Sequence, residues 1–286
     1  MRLPFRLVDV FADAPFGGNQ LCVVPDTPPE VDTATMQALA LEIGFSETTF
    51  VTAVRPDGYD VRIFTPEDEL PFAGHPTLGT AFALAREGMI GPEAVQRCGV
   101  GDIRVGIDLG GGTATMRQVA PEFGAEVADR GAVAAAAGLE AGDLVADLPI
   151  VPVSTGIFHT MVPVRDDGTL RRAVRDDRRC AEVCDQIEAE SLYLFVTLGG
   201  GDVRARMFDK GAAIGEDPAT GSAAGPLSAY LAIHGLIETP GSVVVAQGEQ
   251  VGRPSFLRVW VERDGDSWAL DVAGGVHPWG DGAFEI

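Results

Sequence analysis

The segment Gly74-His75-Pro76-Thr77-Leu78-Gly79-Thr80-Ala81 has a counterpart in Glu216-Asp217-Pro218-Ala219-Thr220-Gly221-Ser222-Ala223. Aligned, both read His/Asp-Pro-x-x-Gly-Thr/Ser-Ala. The offset, 217 − 75 = 142, is close to half of the 286 residues. Upstream, Arg62-Ile63-Phe64 matches Arg206-Met207-Phe208 at an offset of 144, so the repeat requires a two-residue gap between strand and motif. Self-similarity at a fixed spacing marks a duplicated structural unit. The chain is therefore expected to form two similar domains related by a pseudo-twofold axis. The first spans residues 1–120, with a strand over 277–286 returning to it, and the second spans 121–276.

The local patterns fit that division. Phe5 to Phe11 and Leu21 to Val24 read as strands around the turn Pro15-Phe16-Gly17-Gly18-Asn19. Met36, Leu39, Ala40 and Ile43 share a helical face, with Asp32 or Thr33 as N-cap and Gly44 as the stop. Thr48 to Val54 and Tyr59 to Phe64 predict a hairpin across Pro56-Asp57-Gly58. Leu78, Ala81, Phe82 and Ala85 predict a helix ending at Gly88, and Ile103 to Leu109 pairs with Thr113 to Val119. Alanine-rich residues 131–140 read as a short helix bridging the halves. In the second half, strands begin at Ile150, Gly199-Gly200-Gly201 is a hairpin turn, and His277-Pro278 is a turn. A helix follows Pro218, with Ala224, Leu227, Ser228 and Leu231 on one face and Gly235 as its stop. Each half is thus mostly strands plus one buried helix of small residues.

Each motif is expected to open a helix with proline at the first position, where a missing N–H costs nothing. Asp217 is then an ordinary N-cap and His75 an unusual one. The first N–H groups of a helix lack intrahelical partners and, with the helix dipole, favour an anion. Two such helix starts facing one cleft would hold a small carboxylate with its α-carbon between side chains of both halves, the geometry for moving a proton at carbon. Singly, the signals are weak. Asp-Pro is common capping chemistry, and a lone histidine is more often packed than catalytic. A third candidate is Glu47, in Ser46-Glu47-Thr48-Thr49-Phe50-Val51, where a helix has ended and an apolar strand begins. Apolar neighbours partly desolvate a carboxyl group, which suits it to general acid–base work. His159 reads as a packed strand residue that could line the cleft, and His234 suits the end of a helix.

Composition narrows the function class. Lys and Arg number 21 and Asp and Glu 42, a formal charge of −21. Such a field argues against nucleic acid or an anionic membrane as partner. No apolar run reaches the length of a membrane span, and Asp9 and Asp13 interrupt any signal-peptide core. Cys22, Cys98, Cys180 and Cys184 are too few for a disulfide scaffold, and no His or Cys pair near Cys180 and Cys184 completes a zinc pattern. A soluble, reduced, cytoplasmic protein is expected.

Taken together, several strings are similar to one family. They are Val8-Asp9-Val10-Phe11 with Pro15-Phe16-Gly17-Gly18-Asn19, Gly44 to Val51, and Arg62-Ile63-Phe64-Thr65-Pro66 with Glu69 to Thr80. Glu216 to Leu227, Gln247-Gly248 and Gly252-Arg253-Pro254-Ser255 complete the set. In this order they resemble the phenazine-biosynthesis PhzF-like family, within the diaminopimelate epimerase fold, across essentially the whole chain. The resemblance implies an α+β fold of two similar domains, each a curved, mostly antiparallel sheet rolled around a central helix. It also implies a cofactor-independent, homodimeric isomerase that shifts a proton on a small carboxylate such as trans-2,3-dihydro-3-hydroxyanthranilate. Carried over by motif, Glu47 takes a proton from one carbon and returns it at another, and His75 and Asp217 orient the substrate. Ser222, with backbone N–H groups around Gly74, Gly221 and Ala223, anchors a carboxylate. Gln20 stands where the family often has proline, and Val251 where it often has methionine. No cysteine lies in either motif, which argues against a two-thiol racemase of the same fold. An epimerase, a lyase acting on an amino or hydroxy acid, and a non-catalytic binder remain the alternative classes.

Overall fold

The computed structural model describes residues 1–211 and 214–286. Two compact units divide the chain: Met1–Arg117 with Ala273–Ile286, and Gln118–Val272. Among the described residues no helix is long and apolar enough to cross a membrane.

In the first unit, β1 (Arg2–Val10) lies antiparallel to β2 (Asn19–Val24), which runs parallel to β3 (Glu47–Arg55). Between them α1 (Thr33–Ile43) is capped by Asp32, whose carboxylate accepts from the Thr35 N–H, and stopped by Gly44 in the left-handed conformation, as the sequence predicts. It packs Met36, Leu39 and Ala40 against Leu3, Val24, Phe50 and Phe64. β3 forms a hairpin with β4 (Gly58–Phe64), and the two-residue β5 (Glu69–Leu70) pairs back on β4. After α2 (Gly74–Arg86), β6 (Glu93–Cys98), β7 (Gly101–Asp108) and β8 (Thr113–Arg117) extend the sheet from β4. The last strand of the chain, β17 (Ser267–Glu285), pairs with the whole of β1 from Val276 to Glu285 and also with β8, which closes the sheet on itself. Only α2 fills the interior: every residue from Gly74 to Ala85 is buried. Its small residues permit this, since a Cβ at Gly79 would stand 2.7 Å from Leu21 and 2.8 Å from Val10.

The second unit repeats the plan. The short β9 (Glu122–Phe123) pairs with β10 (Val151–Ser154), and β10 with β11 (Phe158–Pro163). β11 runs parallel to β12 (Ser191–Gly199), which forms a hairpin with β13 (Asp202–Asp209) across Gly199 to Gly201. Next come β14 (Glu216–Asp217) on β13, the buried α6 (Gly221–Ile233), β15 (Gly241–Gln247) beside β13, and β16 (Ser255–Asp264). A turn at Gly265 leads into β17. Three outer helices, α3 (Arg130–Ala136), α4 (Asp167–Arg172) and α5 (Asp177–Gln186), are each capped by an aspartate, Asp129, Asp166 and Asp176. They share a core of Val133, Leu170, Cys180, Cys184, Leu192 and Phe208.

Several expectations need correction. The 131–140 helix does not bridge the halves; α3 starts at Arg130, ends at Ala136 and packs within the second unit, because its apolar face meets α5. Helices α4 and α5 add to the expected single helix. His277 and Pro278 lie inside β17 and are not a turn. Leu7 pairs with Gly280 but Val8 with Pro278, so Trp279 is the extra residue of a bulge, a place where a strand tolerates proline.

The largest correction concerns the register of the repeat. The offset of 144 holds for the strands, since Thr48 pairs with Phe64 as Leu192 pairs with Phe208. Phe64 then pairs with Glu69, and Phe208 with Glu216. From there each chain takes three residues, Pro71-Phe72-Ala73 or Pro218-Ala219-Thr220, and enters a 13-residue helix at Gly74 or Gly221. The offset is now 221 − 74 = 147, and it persists to Gly88 and Gly235, both at positive φ. Residues 209–215 are three longer than residues 65–68, which accounts for the change. The structural counterpart of His75 is therefore Ser222, and that of Asp217 is Leu70.

Candidate active site

Both central helices are approached through the same device. Arg62 forks Glu69 with bonds of 2.7 and 2.6 Å, and Arg206 forks Glu216 with bonds of 2.8 and 2.6 Å. Each guanidinium also lies over the phenylalanine two residues on, Phe64 or Phe208. The forks fasten β5 and β14 to their sheets and so fix where each helix begins.

His75 is the second residue of α2 and Glu47 the first of β3, beside Leu21 in the parallel pairing with β2. The His75 Nε2 lies 3.2 Å from the Glu47 Oε2, with side-chain exposures of 5% and 11%. The N-cap of α2 is Ala73, so His75 is not the cap. Burial pulls the His75 pKa down to about 3, opposed only in part by a hydrogen bond to the Gln20 backbone. The imidazole is neutral at physiological pH and carries one proton. An acceptor that favours the charged ring is a carbonyl, so that proton serves the Gln20 backbone. Nε2 is left with its lone pair toward Glu47. Close by, Ser46 donates to the Asn19 Oδ1 at 2.9 Å, and the Thr49 and Thr80 hydroxyls bond at 2.8 Å.

In the second unit Asp217 sits in β14, four residues before α6, and is not its N-cap; Thr220 is. Proline at 218 disfavours helical geometry at the residue before it. The Asp217 Oδ2 accepts the Thr220 hydroxyl at 2.6 Å, while the Gln247 Nε2 donates to the Asp217 carbonyl at 2.8 Å and to Thr220 at 2.9 Å. Tyr193 donates to the Gln247 Oε1 at 2.8 Å. Gly248 makes this bracing possible, for a Cβ there would meet the Pro218 carbonyl at 2.5 Å. Ser222 is the second residue of α6. Its Oγ lies 2.9 Å from the His159 Nε2, and the His159 Nδ1 lies 2.8 Å from the Ser191 Oγ. Gly221 and Ser222 open the helix, where N–H groups lack intrahelical acceptors. The Ala223 N–H is already given to the Thr220 carbonyl at 3.0 Å, so Ala223 has no amide to offer a ligand.

The structure thus brings Glu47 to His75, with Gly74 beside it on α2, and sets Asp217, Gly221, Ser222 and Ala223 around the start of α6. Sequence reasoning treated His159 as a packed strand residue and did not single out Ser191 or Gln247 for a role. For His159 the available signal was strand order: the parallel pairing of β11 with β12 puts it level with Ser191, as Leu21 is level with Glu47. Among the described residues no three His, Cys, Asp or Glu side chains gather in a way that could hold a metal ion.

The sequence pattern of the PhzC-PhzF family, described as phenazine biosynthesis-like protein, matches residues 8–276. A trans-2,3-dihydro-3-hydroxyanthranilate isomerase of Pseudomonas chlororaphis is 34% identical over 287 residues, which cover 99% of this chain and 99% of the relative. A solved structure of a PhzF-family phenazine biosynthesis protein from Bacillus anthracis is similar with a TM-score of 0.89, at 27% identity over 100% of both chains. A hydroxyproline epimerase from Agrobacterium vitis has a TM-score of 0.69 at 15% identity, covering 99% of this chain and 92% of its own, which is a likeness of fold.

Proposed function

The chain belongs to the phenazine biosynthesis-like protein family and is an isomerase, and from that premise we propose that it moves a proton along a small unsaturated carboxylate without a cofactor. The substrate class is that of trans-2,3-dihydro-3-hydroxyanthranilate, on which its 34%-identical relatives are named to act. The observation that carries this reading is the buried Glu47–His75 contact at 3.2 Å. Glu47 takes a proton from a substrate carbon, the electron pair moves through the conjugated bonds, and the proton returns at a second carbon. Product and substrate are then isomers and no co-reactant is needed. The neutral His75 presents its Nε2 lone pair, which accepts from the Glu47 O–H once Glu47 has taken the proton, and it places no fixed positive charge beside the carboxyl group. Asp217 orients a polar substituent of the substrate, and Ser222 with the amide at Gly221 receives the carboxylate. A homodimer in a reducing, cytoplasmic setting completes the proposal; all four cysteines are free thiols, which supports the setting.

Proton NMR in deuterated water tests it. With trans-2,3-dihydro-3-hydroxyanthranilate, one C–H signal should vanish and signals of a shifted double bond should appear. Glu47→Gln should slow this by about 10²- to 10⁴-fold, the usual worth of a general acid–base group, with the fold retained. Unchanged turnover in that variant would remove Glu47 from the mechanism. Deuterium exchange without a double-bond shift would make the enzyme an epimerase. Light scattering gives the oligomeric state directly.

A further inference from the structure

Ser191, His159 and Ser222 form a chain of three buried side chains wholly inside the second unit, with exposures of 0%, 2% and 7%. A buried imidazole is costly unless its polar atoms are satisfied. Packing alone does not call for one here. At the matching point of the first unit, the residue level with the first residue of β3 is Leu21, whose methyl group lies against α2. Strand β11 carries a histidine in that place, and both of its ring nitrogens are engaged.

The direction of the bonds follows from counting donors. Burial holds His159 neutral, with its pKa pulled down to about 4, so the ring has one proton for two bonds. Among the described residues the Ser191 hydroxyl meets only the His159 Nδ1. If Nδ1 carried the proton, Ser191 would accept it and its own buried O–H would have no acceptor. Among the described residues either tautomer leaves one hydroxyl without a protein acceptor, at Ser191 or at Ser222. Ser191 is 0% exposed and Ser222 7%, so the unpaired donor costs less at Ser222, where an acceptor from outside can reach it. Ser191 therefore donates to Nδ1, the ring proton sits on Nε2, and Nε2–H donates to the Ser222 Oγ. The Ser222 O–H is then turned away from the ring, and among the described residues no protein atom accepts it. This is a polar side chain more than nine-tenths buried, at the first turn of a 13-residue helix, that needs an acceptor from outside.

We propose that Ser191 and His159 are positioning residues that fix Ser222 as an obligate hydrogen-bond donor, and that they thereby select a substrate group able only to accept, a carboxylate. The proposal rests on the reading of Ser222 as a carboxylate anchor. The relay stands in the second unit where Glu47 and His75 stand in the first: Ser191 matches Glu47 as the first residue of its strand, and Ser222 matches His75 as the second residue of its helix. The same two places in the duplicated plan thus serve proton transfer in one unit and anion recognition in the other.

Steady-state rates and an NMR measurement on the full chain test this. His159→Leu and Ser222→Ala should each raise KM about tenfold or more, the worth of a hydrogen bond to a charged group, with kcat within about threefold. The double variant should add nothing further. His159→Gln, whose amide N–H can replace Nε2–H, should bring KM back to within about threefold of the parent. A His159→Leu enzyme with unchanged KM would overturn the proposal, as would a His159→Gln enzyme as poor as His159→Leu. A fall in kcat at constant KM in both variants would mark a structural role only and would also overturn it. Independently of substrate, the ¹⁵N shifts of His159, assigned by their loss in His159→Gln, should report a neutral ring protonated at Nε2; protonation at Nδ1 overturns the relay. If the parent enzyme does not turn over trans-2,3-dihydro-3-hydroxyanthranilate, the functional reading fails while the tautomer still decides the relay.

Discussion

At the scale of single residues, equal-looking pairs carry unequal weight. The Arg206–Glu216 fork is buried, with exposures of 7% and 15%, and Arg206 also donates to the carbonyls of Leu170 and Ala173 at 3.0 and 2.6 Å. The Arg62–Glu69 fork is exposed by 30% and 39%. Arg206→Met should therefore cost about 3–5 kcal/mol in urea unfolding, because it strands a buried carboxylate. Arg62→Met should cost about 1 kcal/mol or less. Buried histidines set a pH dependence. His75 and His159, with pKa values lowered to about 3 and about 4, bind fewer protons folded than unfolded. They cost nothing above about pH 6.5 and destabilise increasingly as pH falls from there toward those values. Asp209, raised by burial to about 6, acts in the opposite sense between about pH 4 and 6. The difference between variants isolates one group: His159→Gln should lose less stability than the parent between pH 7 and 5, read as a smaller drop in the urea midpoint. Glu47 and His75 were legible in the sequence because each sits in a distinctive string. His159 was not, since its partners Ser191 and Ser222 lie 32 and 63 residues away.

At the scale of elements, both central helices depend on side chains small enough to be enclosed. Gly79→Ala would drive a methyl group into Leu21, Val10 and Val8 at 2.7, 2.8 and 3.1 Å. Overpacking of this kind costs about 1–3 kcal/mol, and the better helix propensity of alanine returns at most about 1. Gly106→Ala on β7, where a Cβ meets nothing within 4 Å, should leave thermal stability unchanged or slightly raised. α1 was readable because its cap, its apolar face and its stop agree within thirteen residues, from Asp32 to Gly44. The starts of α2 and α6 were misread. Proline and aspartate are local signals of a helix start, but the forks of Arg62 and Arg206 decide where the chain enters each helix.

At the scale of the whole molecule, the chain ends where it begins. β17 leaves the second unit after Val272 and pairs with β1 from Val276 opposite Val10 to Glu285 opposite Arg2. Deleting residues 277–286 should open the closed sheet of the first unit and abolish its cooperative unfolding, seen as loss of a thermal transition by circular dichroism. The formal charge of −21 adds self-repulsion that salt screens. Raising ionic strength from about 0.02 to 0.3 M should increase Tm, since the Debye length falls from roughly 20 to 6 Å.

The amino-acid sequence by itself determined the duplication, the α+β class and the closed-sheet family, and it singled out Glu47, His75 and Ser222 as candidates, because each is written in contiguous strings with strong local preferences. Tertiary structure alone decided which residues of the two repeats correspond. Three extra residues before β14 shift the register from 144 to 147, and short strings of proline, glycine and alanine cannot locate such a gap. Pairing between β4 and β5, and between β13 and β14, does locate it, since backbone hydrogen bonds fix register where composition does not. The same holds for the Ser191–His159–Ser222 relay, whose members come together only when two parallel strands and a helix start are packed side by side.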